Sequence, residues 1–197
     1  MRKTAVMLSV LLVSCVLPAC GNEAAVPETP PAGIEDTAGN LSGMETQTIG
    51  NDELGYVTLP GDWLEFRDLN GAADLQYSNP AGTSIVSLNI FDLSSLTEEQ
   101  RAEFTAQDAA DNVWYNLEQS EVEDINGATV TLGGYQAFEI YGQFLSEDHD
   151  LPSAIVCWIF EDGAGVFHYV SAEGAIEDFA DVFSYVEESY TLSPGVS

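Results

Sequence analysis

The sequence predicts an α+β fold: a twisted, mainly antiparallel sheet covered by helices on both faces. Between residues 53 and 193, short apolar runs alternate with turn signals such as Pro60-Gly61, Asn79-Pro80-Ala81-Gly82 and Asp162-Gly163-Ala164-Gly165. Strands joined by tight turns pair as antiparallel neighbours. Two longer segments, from Thr97 to about Gln119 and from about Ala175 to Ser189, carry apolar residues at helical spacing. The run from Ser153 to Glu161 is apolar at successive positions, as in a central strand buried on both sides. Such a strand requires cover on each face.

The elements follow in order. Gly55 to Leu59 reads as a strand stopped by Pro60-Gly61. Leu64 to Asp68 and Ala73 to Ser78 flank Asn70-Gly71, a favoured hairpin dipeptide. In Thr83 to Asp92, Val86, Leu88 and Ile90 alternate onto one face. Thr97-Glu98-Glu99-Gln100 fits a capping box and starts the first helix. Ala102, Ala106, Ala109, Ala110, Val113 and Leu117 share one face of it, while Phe104 falls on the opposite face unless the helix breaks near Thr105. Asn126-Gly127 and Gly133-Gly134 bracket a strand from Ala128 to Leu132. Tyr135 to Leu145 is a long strand with Phe138, Ile140 and Phe144 on one side, and Val166 to Ser171 is the last strand. Ile176, Phe179, Val182, Phe183 and Val186 stripe the closing helix.

Several of these pieces have a familiar order. Tyr56-Val57-Thr58-Leu59-Pro60-Gly61-Asp62-Trp63 opens the domain, a middle helix follows, Gly134-Tyr135-Gln136-Ala137 begins the long strand, and an amphipathic helix closes on Ser189-Tyr190. This order resembles the PsbP-like family, especially its bacterial lipoprotein relatives, over residues 53 to 193. The resemblance implies an α/β/α sandwich, an accessory or binding role, and no shared catalytic residues. Photosynthetic members dock partly through basic surface, from which this acidic chain departs, so photosystem function is not implied.

The amino terminus has the layout of a secretory signal: Arg2 and Lys3, then the apolar run Ala5 to Leu17, then a small residue. That run, about 13 residues, is short of the roughly 20 a spanning helix needs. Leu17-Pro18-Ala19-Cys20 resembles the lipobox of bacterial lipoproteins. The resemblance implies cleavage before Cys20 and lipid on its thiol; an ordinary cleaved signal would instead leave Cys20 free, and an uncleaved anchor is the third choice. Two or three acyl chains hold a protein durably on a membrane. Residues 20–52 read as the lipidated cysteine and an acidic tether, with Pro27, Pro30 and Pro31 and few large apolar side chains. Residues 1–19 are then the signal, 53–193 the domain and 194–197 a tail.

The chain has 4 Lys+Arg against 33 Asp+Glu. Cleavage would leave Arg67 and Arg101 and no lysine. That excludes nucleic acid, which is bound through cationic contacts to phosphate, and docking on anionic lipid. The expected partners are the membrane, through the lipid anchor, and a basic protein or peptide. Of three cysteines, Cys157 alone falls in the domain, so the fold must rest on its core rather than on a disulfide. Cys157 lies in an apolar run and reads as a buried, inert thiol.

No sequence motif names a reaction. G-x-S-x-G, a glycine-rich phosphate loop and H-E-x-x-H are all missing. Trp63, Trp114 and Trp158 read as core or sheet-face residues. His168 sits mid-strand as a packed histidine, and Ser146-Glu147-Asp148-His149-Asp150 reads as a polar hairpin loop. The expectation is an extracytoplasmic, lipid-anchored module without catalysis or cofactor. The alternative is a divalent-cation protein, a calcium sensor or metal-assisted hydrolase, with Glu147, Asp148, His149 and Asp150 as candidate ligands. Calcium takes six to eight oxygens, so this alternative needs carboxylates that converge.

Overall fold

The computed structural model describes residues 41, 43–67, 75–147 and 149–193. The signal, Cys20, most of the tether, the Asn70-Gly71 turn and Asp148 lie outside the described residues. Nine strands and three helices are present among them. The strands are β1 (Thr46–Asn51), β2 (Gly55–Pro60), β3 (Leu64–Phe66), β4 (Leu75–Ser78), β5 (Ser84–Ile90), β6 (Glu123–Leu132), β7 (Tyr135–Ser146), β8 (Leu151–Glu161) and β9 (Phe167–Ala175). The helices are α1 (Glu98–Glu103), α2 (Ala106–Gln119) and α3 (Phe179–Ser189). A seven-stranded sheet has the order β3-β4-β5-β9-β8-β7-β6, and β1-β2 form a separate ribbon. Every pairing is antiparallel. The architecture is therefore α+β, dominated by antiparallel sheet. Among the described residues no helix is long and apolar enough to cross a membrane.

β8 organises the core. From Ser153 to Phe160 every residue is buried, as its unbroken apolar run requires. Successive side chains of a strand point to opposite faces, and the packing follows that rule. Ala154, Val156, Trp158 and Phe160 cluster with Phe179, Val182 and Val186 of α3 and with Val57 and Leu59 of β2. Ile155, Cys157 and Ile159 cluster with Ala109, Ala110, Val113 and Leu117 of α2.

The helix expected from Thr97 to Gln119 is two helices. Thr97 and Gln100 form the expected capping box, but Thr105 and Asp108 form a second one eight residues later. Phe104 between them is extended, with φ −70° and ψ 135°. The break turns its ring edge-on to Phe167, with centroids 5.1 Å apart, and so resolves its misplacement on a continuous helix.

Three further boundaries differ from expectation. Asn126 and Gly127 lie inside β6 rather than at a turn, opposite Tyr141 and Ile140; the irregularity falls earlier, as a register shift between Glu123 and Asn126. The closing helix begins at Phe179, not Ala175. The Ala175 N–H still donates to the Thr83 carbonyl and the Ile176 N–H to Pro152, so sheet-edge hydrogen bonds hold the backbone extended past the start of the apolar stripe. Ile176 is consequently 46% exposed. Finally, Thr46–Asn51, read as part of the tether, is β1, paired along its whole length with β2.

The β1–β2 turn is sterically tight. Gly50 has φ +124°, and a Cβ there would overlap the Gly55 carbonyl oxygen. Gly50→Ala is expected to cost about 1–3 kcal/mol, the usual penalty of backbone strain. Urea unfolding is the check, and an unchanged midpoint would contradict this account. At this same end the ribbon is tied to the segment after α3: the Tyr56 N–H donates to the Thr191 carbonyl at 2.7 Å and the Thr191 N–H donates to the Tyr56 carbonyl at 3.0 Å.

Candidate functional site

Among the described residues, those singled out from sequence do not assemble into a site. Cys20 and Asp148 lie outside the described residues. Glu147, His149 and Asp150 sit around the β7–β8 turn. There His149 Nε2 lies 3.0 Å from the Gly82 carbonyl oxygen, and the Asp150 N–H donates to the Ser146 carbonyl with φ +53° at Asp150. The histidine thus pins this turn to the Asn79–Gly82 turn. Among the described residues, no three or more His, Cys, Asp or Glu side chains converge on a point that could hold a metal.

Cys157, Tyr169 and His168 are packed into the core. Cys157 is wholly buried, and its Sγ lies 3.5 Å from the Tyr169 hydroxyl. Burial pushes the thiol up to about 12, far from the lowered values of reactive cysteines. His168 is 1% exposed and stacks on Phe160, centroids 4.8 Å apart and planes 8° from parallel. Its Nε2 is 3.5 Å from Asp162 Oδ2, while its buried Nδ1 has no hydrogen-bond partner among the described residues. Burial lowers the His168 pKa, and the Asp162 carboxylate opposes that shift only in part. Trp63 and Trp158 are buried; Trp114 is half-buried, its Nε1 donating to Glu118 at 3.0 Å.

Two features were not singled out from the sequence. The first is a polar strip across β4, β5 and β9. Cross-strand partners share a face, so Gln76, Ser87 and Ser171 form one row and Ile85 and Glu173 the next. Gln76 Nε2 donates to Ser87 Oγ at 3.3 Å. Glu173 is half-buried, and burial pushes its carboxyl up to about 7. The strand expected over Val166 to Ser171 runs on to Ala175; the alternation Tyr169, Ser171, Glu173 is the available signal.

The second is an open cleft of about 430 Å³ between the β1–β2 turn and the end of β5. Asn51, Glu53, Leu54, Ile90, Phe91 and Asp92 line it. Local hydrogen bonds fix its walls. Asn51 Oδ1 accepts from the N–H groups of Glu53 and Leu54, both at 2.9 Å, and the Tyr190 hydroxyl donates to the Leu54 carbonyl at 3.0 Å. Across the cleft the Phe91 N–H donates to Phe167 at 2.8 Å. Asp92 accepts from the Ser94 N–H at 2.8 Å and from its hydroxyl at 2.9 Å. Those bonds, helped by Arg101 nearby, hold the Asp92 carboxyl below its ordinary value.

No protein-family model and no curated protein matches the sequence. A crystal structure from Bacteroides thetaiotaomicron VPI-5482 is similar in fold, with TM-score 0.51 and 15% identity over 78% of this chain and 51% of that one. This chain thus spans about half the length of that protein. LpqN, involved in cell envelope biogenesis of Mycobacterium tuberculosis, matches at TM-score 0.41 and 14% identity, over 76% of this chain and 91% of LpqN. A Pseudomonas aeruginosa protein of unknown function, PA94, matches at TM-score 0.34 and 11% identity, over 68% and 85% of the two chains. The first likeness is one of fold alone, and the other two are too distant to carry an argument.

Proposed function

We propose that this chain is an extracytoplasmic lipoprotein, anchored through Cys20, whose domain is a non-catalytic binding or accessory module of the PsbP-like sandwich type. The fixed cleft at the β1–β2 turn carries the binding reading, because it offers a preformed recess whose walls are already hydrogen-bonded. Burial of Cys157, Tyr169 and His168 supports a module without catalysis. The split of β8 side chains between an α2 cluster and an α3 cluster supports a sandwich with a helix on each face. The excess of 33 Asp+Glu over 4 Lys+Arg favours a basic protein or peptide as partner.

Cross-linking in intact cells tests the module: the same basic partner should return across replicates, and recovery of unrelated envelope proteins would remove the support. The anchor has its own test. Metabolic acyl label is expected on the wild type and absent from Cys20→Ala, with the variant released from the membrane fraction; label that persists in the variant would refute the anchor.

A further inference from the structure

Among the described residues, β6 closes one side of the seven-stranded sheet and has β7 as its strand neighbour. Residues along an antiparallel strand alternate between bonding to the partner and pointing away from it. Gly133 and Gly134, both at positive φ, turn the chain between the paired Leu132 and Tyr135, and the pair closing so tight a turn exchanges backbone bonds. Counting back from Leu132, Val130 and Ala128 bond to β7, and the N–H and C=O groups of Thr131, Thr129 and Gly127 point outward. These last residues are all exposed. Proteins close such edges with lysine, proline, a bulge or a covering element. β6 has no lysine or proline, and it carries no charge from Ile125 to Leu132. Its register shift falls earlier, between Glu123 and Asn126.

We propose that this edge takes an extended, basic segment of a partner protein as an added strand. The inference rests on the reading of the domain as a module for a basic protein or peptide, and it names the surface that holds that partner. In strand addition the main chain supplies affinity and the alternating side chains supply specificity.

The surroundings select the charge. On the α2 side, a Cβ at Gly127 would lie 3.2 Å from the Trp114 ring, so the indole sits against the edge. Its Nε1 donates to Glu118 at 3.0 Å, which holds that carboxylate nearby. Glu123 and Asp124 open the strand and are exposed. On the other face Ala128 lies opposite Glu139. Burial first, then the charges of Glu139 and Glu188, raise the Glu187 carboxyl, so the acids gather on this face too. The arginines of the described residues lie elsewhere. Arg67 follows β3 at the far edge of the sheet, and Arg101 donates to the Leu96 carbonyl and acts on Asp92.

Other occupants fit less well. A second copy could satisfy the same backbone groups, but it would bring together two chains of formal charge −29, which repel. The chain's own tether carries Glu23, Glu28, Glu35 and Asp36 and no basic residue. A neutral strand would leave the bordering carboxylates without a counter-charge. Arginine or lysine on the added strand meets acid on either face, and such complementarity also fixes its register.

The test is a titration of the full chain, purified in detergent micelles, at one fixed ionic strength, read by calorimetry and amide hydrogen exchange. The probe is a peptide of about eight residues, an ordinary strand length, in which Arg alternates with Val or Thr. A second peptide has Glu in place of Arg, and a third is the Arg peptide with alternate backbone nitrogens methylated. The Arg peptide should slow exchange at the Gly127, Thr129 and Thr131 amides. The Glu peptide should not bind, and the methylated one should bind about tenfold more weakly or worse. Thr129→Pro removes an outward N–H while leaving the ladder to β7, and it should abolish the protection. Glu118→Gln keeps an oxygen for the indole N–H and should weaken the Arg peptide about threefold; it carries the test if Thr129→Pro fails to fold. Glu147→Gln, at the β7–β8 turn, should change nothing. Equal losses for Glu118→Gln and Glu147→Gln, equal binding of the methylated peptide, or no protection along β6 would overturn the proposal. Protection before any peptide is added would also overturn it: a second copy fills the edge if that protection rises with chain concentration, and the tether if it does not. A basic partner that recurs in cross-linking while β6 stays unprotected would overturn the edge and keep the module.

Discussion

Trp158→Ala is expected to lower the unfolding free energy by about 3–5 kcal/mol, the range for truncating a large buried aromatic side chain. Trp158 is 0% exposed at the centre of β8, so the structure around it can collapse little. Its ring lies 5.4 Å from that of Phe183 on α3, and its Nε1 donates to Glu139 Oε2 at 3.0 Å. Truncation removes the contact between sheet and helix and leaves Glu139 without its donor. The Glu139 carboxyl is already pushed upward by burial, which the indole hydrogen bond partly offsets. Trp158→Phe separates the two contributions, since it keeps most of the ring and loses the hydrogen bond. Urea unfolding followed by circular dichroism reads both variants. A loss below about 1 kcal/mol for the alanine variant would mean that the contact between β8 and α3 is not where the stability lies.

The position of Trp158 could be read from sequence because the signal is local. Every residue from Ile155 to Phe160 is apolar or small, and a strand with no polar face has no solvent to turn to. The capping box at Thr97 was legible for the same reason: its partners are three residues apart. The second box was missed because Asp108, unlike the Gln100 of the first, reads as one more acid among many. Phe104, out of phase with the apolar face, was the visible symptom. β1 was missed because Thr46–Asn51 has one large apolar residue, Ile49, and only pairing with β2 buries it. A two-stranded ribbon advertises itself through its partner, not its own composition.

The cleft lies beyond such reading altogether. Asn51 to Leu54 and Ile90 to Asp92 are far apart in the chain, and neither segment alone carries a ligand-like pattern. Their approach depends on the Tyr190 hydroxyl reaching the Leu54 carbonyl and on the ladder between β5 and β9. Conversely, Ser146 to Asp150 reads as a polar hairpin loop, and Glu147, Asp148, His149 and Asp150 entered the alternative reading as ligands only because their residue types suit a metal. The described part of that turn spends its histidine on a backbone carbonyl instead.

Glu173→Gln is expected to remove a fall in stability that the wild type shows between about pH 4.5 and pH 7. Burial raises the folded-state value of this carboxyl from 4.5 to about 7. In that window the unfolded chain has released the proton while the folded chain still holds it, so the folded state binds more protons and stability decreases as pH rises. Above the folded value the loss levels off, at up to about 3 kcal/mol if the whole shift is expressed as stability. Ile155 and Ile85 flank Glu173 across the sheet, and neither can stabilise its charge. His168 acts in the opposite sense: burial lowers its value from 6.5, so its contribution is lost as pH falls. Glu139 and Glu187, both raised by burial, add to the Glu173 slope. The difference between wild type and Glu173→Gln cancels these other groups. That difference, from urea midpoints taken across the window, should grow steadily with pH in favour of the variant and then flatten. Parallel curves would mean that solvent reaches the Glu173 carboxylate freely, and the β5–β9 strip would then be an ordinary wet surface rather than a half-buried polar floor.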